Sequence, residues 1–86
     1  MNLDDAAQQL SVGRFYLLLN EGARAAEALN LSLKLDPAIP AEYLLAYAYA
    51  EEMKYDESRA ILVRIPPADP QYGKAQELLR AIAGRH

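Results

Sequence analysis

Val12-Gly13-Arg14-Phe15-Tyr16 and Leu45-Ala46-Tyr47-Ala48-Tyr49 follow one order: a large apolar residue, a small one, then an aromatic three positions after the small one. The two segments lie 33 residues apart, the same spacing that separates Asp36-Pro37 from Asp69-Pro70. At that offset Ala6–Pro37 and Ile39–Pro70 are weak copies of each other, with Ala25 meeting Ser58 and Leu29 meeting Leu62. A period near ~34 residues marks a supersecondary unit that cannot bury its apolar face alone, so neighbouring units must stack to make a core.

The local signals inside each copy predict helices. Ala and Leu, the strongest helix formers, dominate the chain. The first helix is expected from about Asp4 to Leu19, with Asp4 and Asp5 in its first turn, where negative charge suits the dipole. Asn20-Glu21-Gly22 makes a turn because Asn and Gly tolerate positive φ. The second helix runs from about Ala23 to Leu35 and stops at Asp36-Pro37, since a residue before Pro is pushed out of the helical region. The third begins at Pro40, which has no N–H to leave unpaired, and continues to about Met53. Asp56 and Glu57 open the fourth, which Pro66-Pro67 ends near Arg64 or Ile65. The fifth is expected from about Asp69-Pro70, with Asp69 as N-cap, to Ala83, with Gly84 just past its end. Tyr43, Tyr47 and Tyr49 do not read as a strand, because Leu44, Leu45, Ala46, Ala48 and Ala50 break the alternation.

The chain resembles the tetratricopeptide repeat family. The residues that carry the likeness are the small Gly13 and Ala46, the flanking Val12, Tyr16, Leu45 and Tyr49, the small Ala25 and Ser58, and the Asp-Pro pairs. The resemblance implies an all-α fold, a right-handed superhelix of antiparallel helical hairpins with five helices. It implies one domain over residues 1–86: a first repeat at about 6–37, a second at about 39–70, and a capping helix at about 70–84. In such hairpins Gly13 and Ala46 let the second helix approach closely, with Ala25 and Ser58 facing them. A further step of 33 residues takes Leu45 to Leu78, Ala46 to Leu79 and Tyr49 to Ile82. A large residue at the small position fits a last helix on which nothing packs closely. Lys74, Gln76, Glu77 and Arg80 supply the polar outer positions that end a repeat array. The pattern departs from the family at Gln9 and Glu42, where an early aromatic is usual, and at Gly22, where Tyr55 keeps the turn aromatic in the second copy.

Composition narrows the function. With 86 residues and no Cys, neither a disulfide frame nor a thiolate metal site holds the fold. The formal charge of −3 and the scattered Lys and Arg argue against nucleic acid, where a clustered basic face supplies most of the affinity. The acidic start Met1-Asn2-Leu3-Asp4-Asp5 lacks the basic and apolar regions of a secretory signal. The densest apolar run, Phe15–Leu19, is far short of a membrane span. The expectation is a cytoplasmic protein without a cofactor or metal. Catalysis is not expected either. The only His is His86 at the chain end, Ser11, Ser32 and Ser58 stand near no base, and the four Gly are isolated. Asp4-Asp5, Glu51-Glu52 and Asp56-Glu57 are sequence neighbours that diverge on a helix.

What the family resemblance implies instead is a concave groove lined by the first helix of each hairpin, which takes an extended peptide or a helix. Carried over residue by residue, the groove candidates are Leu10, Arg14 and Leu17; Tyr43, Leu44, Tyr47 and Glu51; and Gln76, Glu77 and Arg80. Leu10–Arg14–Leu17 and Tyr43–Tyr47–Glu51 each form one helix stripe. A subset of the family grips a terminal carboxylate with Lys, Asn and Arg. Here the matching positions hold Leu10, Arg14, Leu44, Gly73 and Glu77, so that clamp is missing except at Arg14. The expected partner is therefore a protein or peptide segment with Leu or aromatic anchors, since Tyr favours interfaces. A second reading is self-assembly, or membership of a longer repeat array, motivated by the apolar Phe15–Leu19 run.

Overall fold

The computed structural model describes residues 5–85. Among them are five α-helices and no strand: α1 (Ala6–Leu18), α2 (Gly22–Leu35), α3 (Glu42–Glu51), α4 (Tyr55–Leu62) and α5 (Tyr72–Ile82). Asp5 caps α1, its carboxylate accepting the Ala7 N–H at 2.7 Å. The expected role of Asp4, and the His86 site, lie outside the described residues.

Several helix ends differ from the sequence expectation. Pro40 does not open α3; Ala41 is its N-cap and Glu42 its first residue. Asp69 is not the N-cap of α5. That position belongs to Gln71, and Asp69 Oδ1 instead accepts the Gln71 N–H at 2.8 Å. Asp36 does the same for Ala38 at 3.0 Å, so each Asp-Pro pair is folded by a side chain that mimics a turn. α4 ends at Leu62, a little before the position the prolines enforce. The next residues tighten, with Arg64 N–H donating to Ile61 O and Ile65 N–H to Leu62 O.

The turn between α1 and α2 recurs between α3 and α4, bond for bond. Leu19 N–H donates to Phe15 O and Tyr16 O; Glu52 N–H donates to Ala48 O and Tyr49 O. Asn20 pairs with Leu17 O, and Met53 with Ala50 O. Glu21 reaches back to Tyr16 O at 2.9 Å, and Lys54 to Tyr49 O at the same distance. The positive φ that such an exit requires falls on Asn20 (59°) and Met53 (61°), not on Gly22. Gly22 has a different task. A Cβ there would lie 2.8 Å from the Ala48 carbonyl oxygen, 3.1 Å from Glu52 Cγ and 3.2 Å from Glu51 Cβ. The glycine lets the start of α2 abut the end of α3. It also sets Glu51 and Glu52 beside the positive end of α2, which offsets their unfavourable place at the negative end of α3.

Each helix packs on the next in sequence, α1 also meets α3, and α3 also meets α5. Among the described residues α2 meets neither α4 nor α5. The extents are 44 × 28 × 18 Å and the radius of gyration is 12.4 Å. Two small residues set the hairpin crossings. At Gly13 an added Cβ would come within 2.6 Å of both Leu29 Cγ and Cδ2. Ala46, Ala25 and Ser58 are fully buried, as are Leu29 and Leu62. Ser58 Oγ donates to Ala46 O at 2.8 Å and Ser32 Oγ to Ala6 O at 2.6 Å, so both buried hydroxyls are satisfied. The core continues through Leu45, Ile61, Ile65, Ala75 and Ile82, with Leu78 and Leu79 half-buried against it. α5 is fastened at its end by Arg59 of α4, whose Nη2 donates to Ile82 O at 3.3 Å and Arg85 O at 2.9 Å. Gly84, at φ +82°, turns the chain out.

Candidate functional site

α1 and α3 lie side by side and leave a cleft of about 430 Å³ between them, lined by Arg14, Leu17, Leu18, Tyr43, Leu44 and Tyr47. The spacing that builds it is helical: Arg14 and Leu18 are four residues apart on α1, and Tyr43 and Tyr47 four apart on α3. The two Tyr rings contact each other at 6.3 Å between centroids, tilted by 52°, a favoured aromatic geometry. Tyr43 is half-buried against the core. Tyr47 and Leu18 stay exposed, at 40% and 83%. Burial pushes the Tyr43 phenol above its ordinary range, with Tyr47 and the Glu77 carboxylate adding to the effect. The phenol is thus neutral at physiological pH and acts as a hydrogen-bonding group on an apolar wall.

Of the ten sequence candidates, the cleft brings together Arg14, Leu17, Tyr43, Leu44 and Tyr47. Leu10 is not among its lining residues; it packs half-buried against the core. Glu51 is also outside it, exposed at the end of α3 beside Gly22. Gln76, Glu77 and Arg80 sit on α5 and do not line the cleft, although Glu77 is close enough to bear on Tyr43. Leu18 was missed by the sequence reading. Its signal is the i, i+4 step from Arg14, which places it on the cleft side of α1.

The cleft offers two aromatic rings, three leucines and one guanidinium, with no carboxylate, imidazole or thiol. A smaller pocket of about 190 Å³ lies under the Asp-Pro loops, lined in part by Ile39, Tyr43, Ile65 and Gln71. Gln71 Oε1 is buried without a hydrogen-bond partner among the described residues. No group of His, Cys, Asp or Glu among the described residues is arranged to hold a metal ion. No described helix is long and apolar enough to cross a membrane. No protein-family model matches the chain, and neither a curated protein nor a solved structure is significantly similar to it.

Proposed function

We propose that this chain is a non-catalytic protein–protein interaction module that holds an apolar or aromatic segment of a partner protein in the cleft between α1 and α3. The observation that carries the reading is the exposed leucine and tyrosine surface at Leu18 and Tyr47, set over a cavity between the two helices. Binding sites of this kind are concave, apolar and largely pre-formed. Arg14, at the cleft, favours an acidic residue beside the apolar anchor. The same reading takes the hairpins as turns of a right-handed superhelix like that of tetratricopeptide repeats. Its support is the 33-residue recurrence of the turn hydrogen bonds and the small residues at both crossings.

Selection of a displayed library of short peptides on the intact chain tests this. Peptides that bind are expected to carry Leu or aromatic anchors, some flanked by Asp or Glu. They should lose roughly tenfold or more in affinity for a Leu18→Ala, Tyr47→Ala variant, as truncation of aromatic anchors at an interface commonly does. Both side chains are exposed, so the fold survives the change. Failure to select any peptide, or peptides indifferent to the double variant, removes the cleft from consideration. Self-assembly, the second reading, is favoured only if the chain proves a tight dimer in solution.

A further inference from the structure

α1 carries a second apolar face, turned away from the cleft. Among the chain's exposed large apolar side chains, Phe15 and Leu19 stand there at 57% and 50% exposure. A pocket of about 340 Å³ lies between α1 and α2, lined by Val12 and Tyr16 of α1 and by Arg24, Ala28 and Leu31 of α2, among others. The rest of the molecule supplies the template for reading this face. Shifted by the 33-residue period, Val12, Phe15, Tyr16 and Leu19 correspond to Leu45, Ala48, Tyr49 and Glu52 of α3. Three of those α3 positions meet α2: Gly22 abuts Ala48 and Glu52, and Asn30 Nδ2 donates to the Tyr49 hydroxyl at 2.9 Å. Ala48 is accordingly buried, while its α1 counterpart Phe15 is exposed. α1 thus presents the counterpart of the seat on which α2 rests, with Phe15 for Ala48 and Leu19 for Glu52, and among the described residues no helix covers it.

We propose that this face docks a helix of a partner protein, lying on α1 as α2 lies on α3. The seat specifies the helix. α2 presents Gly22, Ala26 and Asn30, one stripe at four-residue steps, with Gly22 and Ala26 both buried. The partner helix needs small residues at the first two of these positions, the more so because Phe15 stands where α3 has Ala48. At the third position it needs a side-chain donor for the Tyr16 hydroxyl, the counterpart of Tyr49. Leu18 and Leu19 replace Glu51 and Glu52 near the start of the incoming helix, so its first turn is apolar rather than cation-seeking. A second copy of this chain does not meet the description. Its Gly22–Asn30 stripe is already seated on its own α3, and the equivalent side of its α4 is engaged with α5 through Arg59.

The chain contains the probe. A helix-constrained peptide with the sequence of residues 22–35 carries the required stripe and can be labelled and titrated against the intact protein by fluorescence anisotropy. It is expected to bind, to lose roughly tenfold or more in affinity for a Phe15→Lys, Leu19→Lys variant, and to bind a variant altered only in the cleft, Tyr47→Ala, unchanged. The last comparison separates this face from the cleft. Circular dichroism of the variant, altered only at side chains half exposed or more, verifies that it folds. Replacing the peptide's first and fifth residues, Gly and Ala, by Leu should abolish binding. Absence of binding up to the peptide's solubility, or binding indifferent to the Lys substitutions, overturns the proposal. So does a dimer in solution that Phe15→Lys, Leu19→Lys dissociates, because the face then belongs to a second copy.

Discussion

Gly13→Ala should destabilise this protein although it improves the helix propensity of α1. Propensity alone favours the change by about 1 kcal/mol. Against that, the new Cβ arrives 2.6 Å from Leu29 Cγ and Cδ2, where ordinary contact begins near 3.4 Å. Leu29 is fully buried, so either its rotamer or the α1–α2 separation must give. Overpacking of this kind costs about 1–3 kcal/mol. A branched carbon pressed at two points belongs in the upper half of that range, which leaves a net loss of about 1–2 kcal/mol. For a chain of this size that is a fall in Tm of about 5–15 °C. Gly73→Ala is the matched control. It is also a helical glycine, in the first turn of α5, with no atom within 4 Å of its added Cβ. It should gain about 0.4–1 kcal/mol, partly through the unfolded chain. Urea unfolding followed by circular dichroism at constant m reads both. If Gly13→Ala stabilises as much as Gly73→Ala does, the close crossing at Gly13 is not real. Leu29→Ala adds a cycle: with both clashing carbons removed, the penalty of Gly13→Ala should shrink.

Other expectations follow from single contacts. Gly22→Ala drives a Cβ to 2.8 Å from a backbone carbonyl oxygen, which yields less readily than a side chain, so it should cost about 2–3 kcal/mol in the same unfolding assay. Arg59→Ala frees the Ile82 and Arg85 carbonyls and should cost about 1 kcal/mol, with hydrogen exchange accelerating first in the last turn of α5. Tyr43 ionises late because its folded phenol is held above the ordinary value. Its stabilising contribution is therefore complete below about pH 10 and declines as the pH rises further. In an absorbance titration of tyrosinate, Tyr43→Phe should remove a component that titrates above the ordinary tyrosine value.

The hairpin crossings were legible in the sequence because sterics leave so few options there. A glycine inside a helix, matched 33 residues later by an alanine, has a packing reason or none. The turn geometry was only half legible. Asn20 is an ordinary residue for positive φ, but Met53 is not, and nothing in its chemistry announces it; only its register with Asn20 does. Gly22 misled for the opposite reason, since a glycine in a turn suggests backbone freedom when its use here is to admit Ala48. Helix starts after Pro40 and Asp69 were placed too early because each Asp-Pro pair spends its side chain on a local turn first. The cleft was partly legible. A helix stripe groups Leu10 with Arg14 and Leu17 but does not say at which height the neighbouring helix covers it, and Leu10 goes to the core while Leu18 lines the cleft.

Amide chemical shifts of the labelled protein, titrated with a peptide selected on it, test the partner-binding cleft most directly. Shifts concentrated at Arg14, Leu17, Leu18, Tyr43, Leu44 and Tyr47, and lost in the Leu18→Ala, Tyr47→Ala variant, are the predicted result. Shifts that instead gather on another surface, with those six residues silent, contradict it.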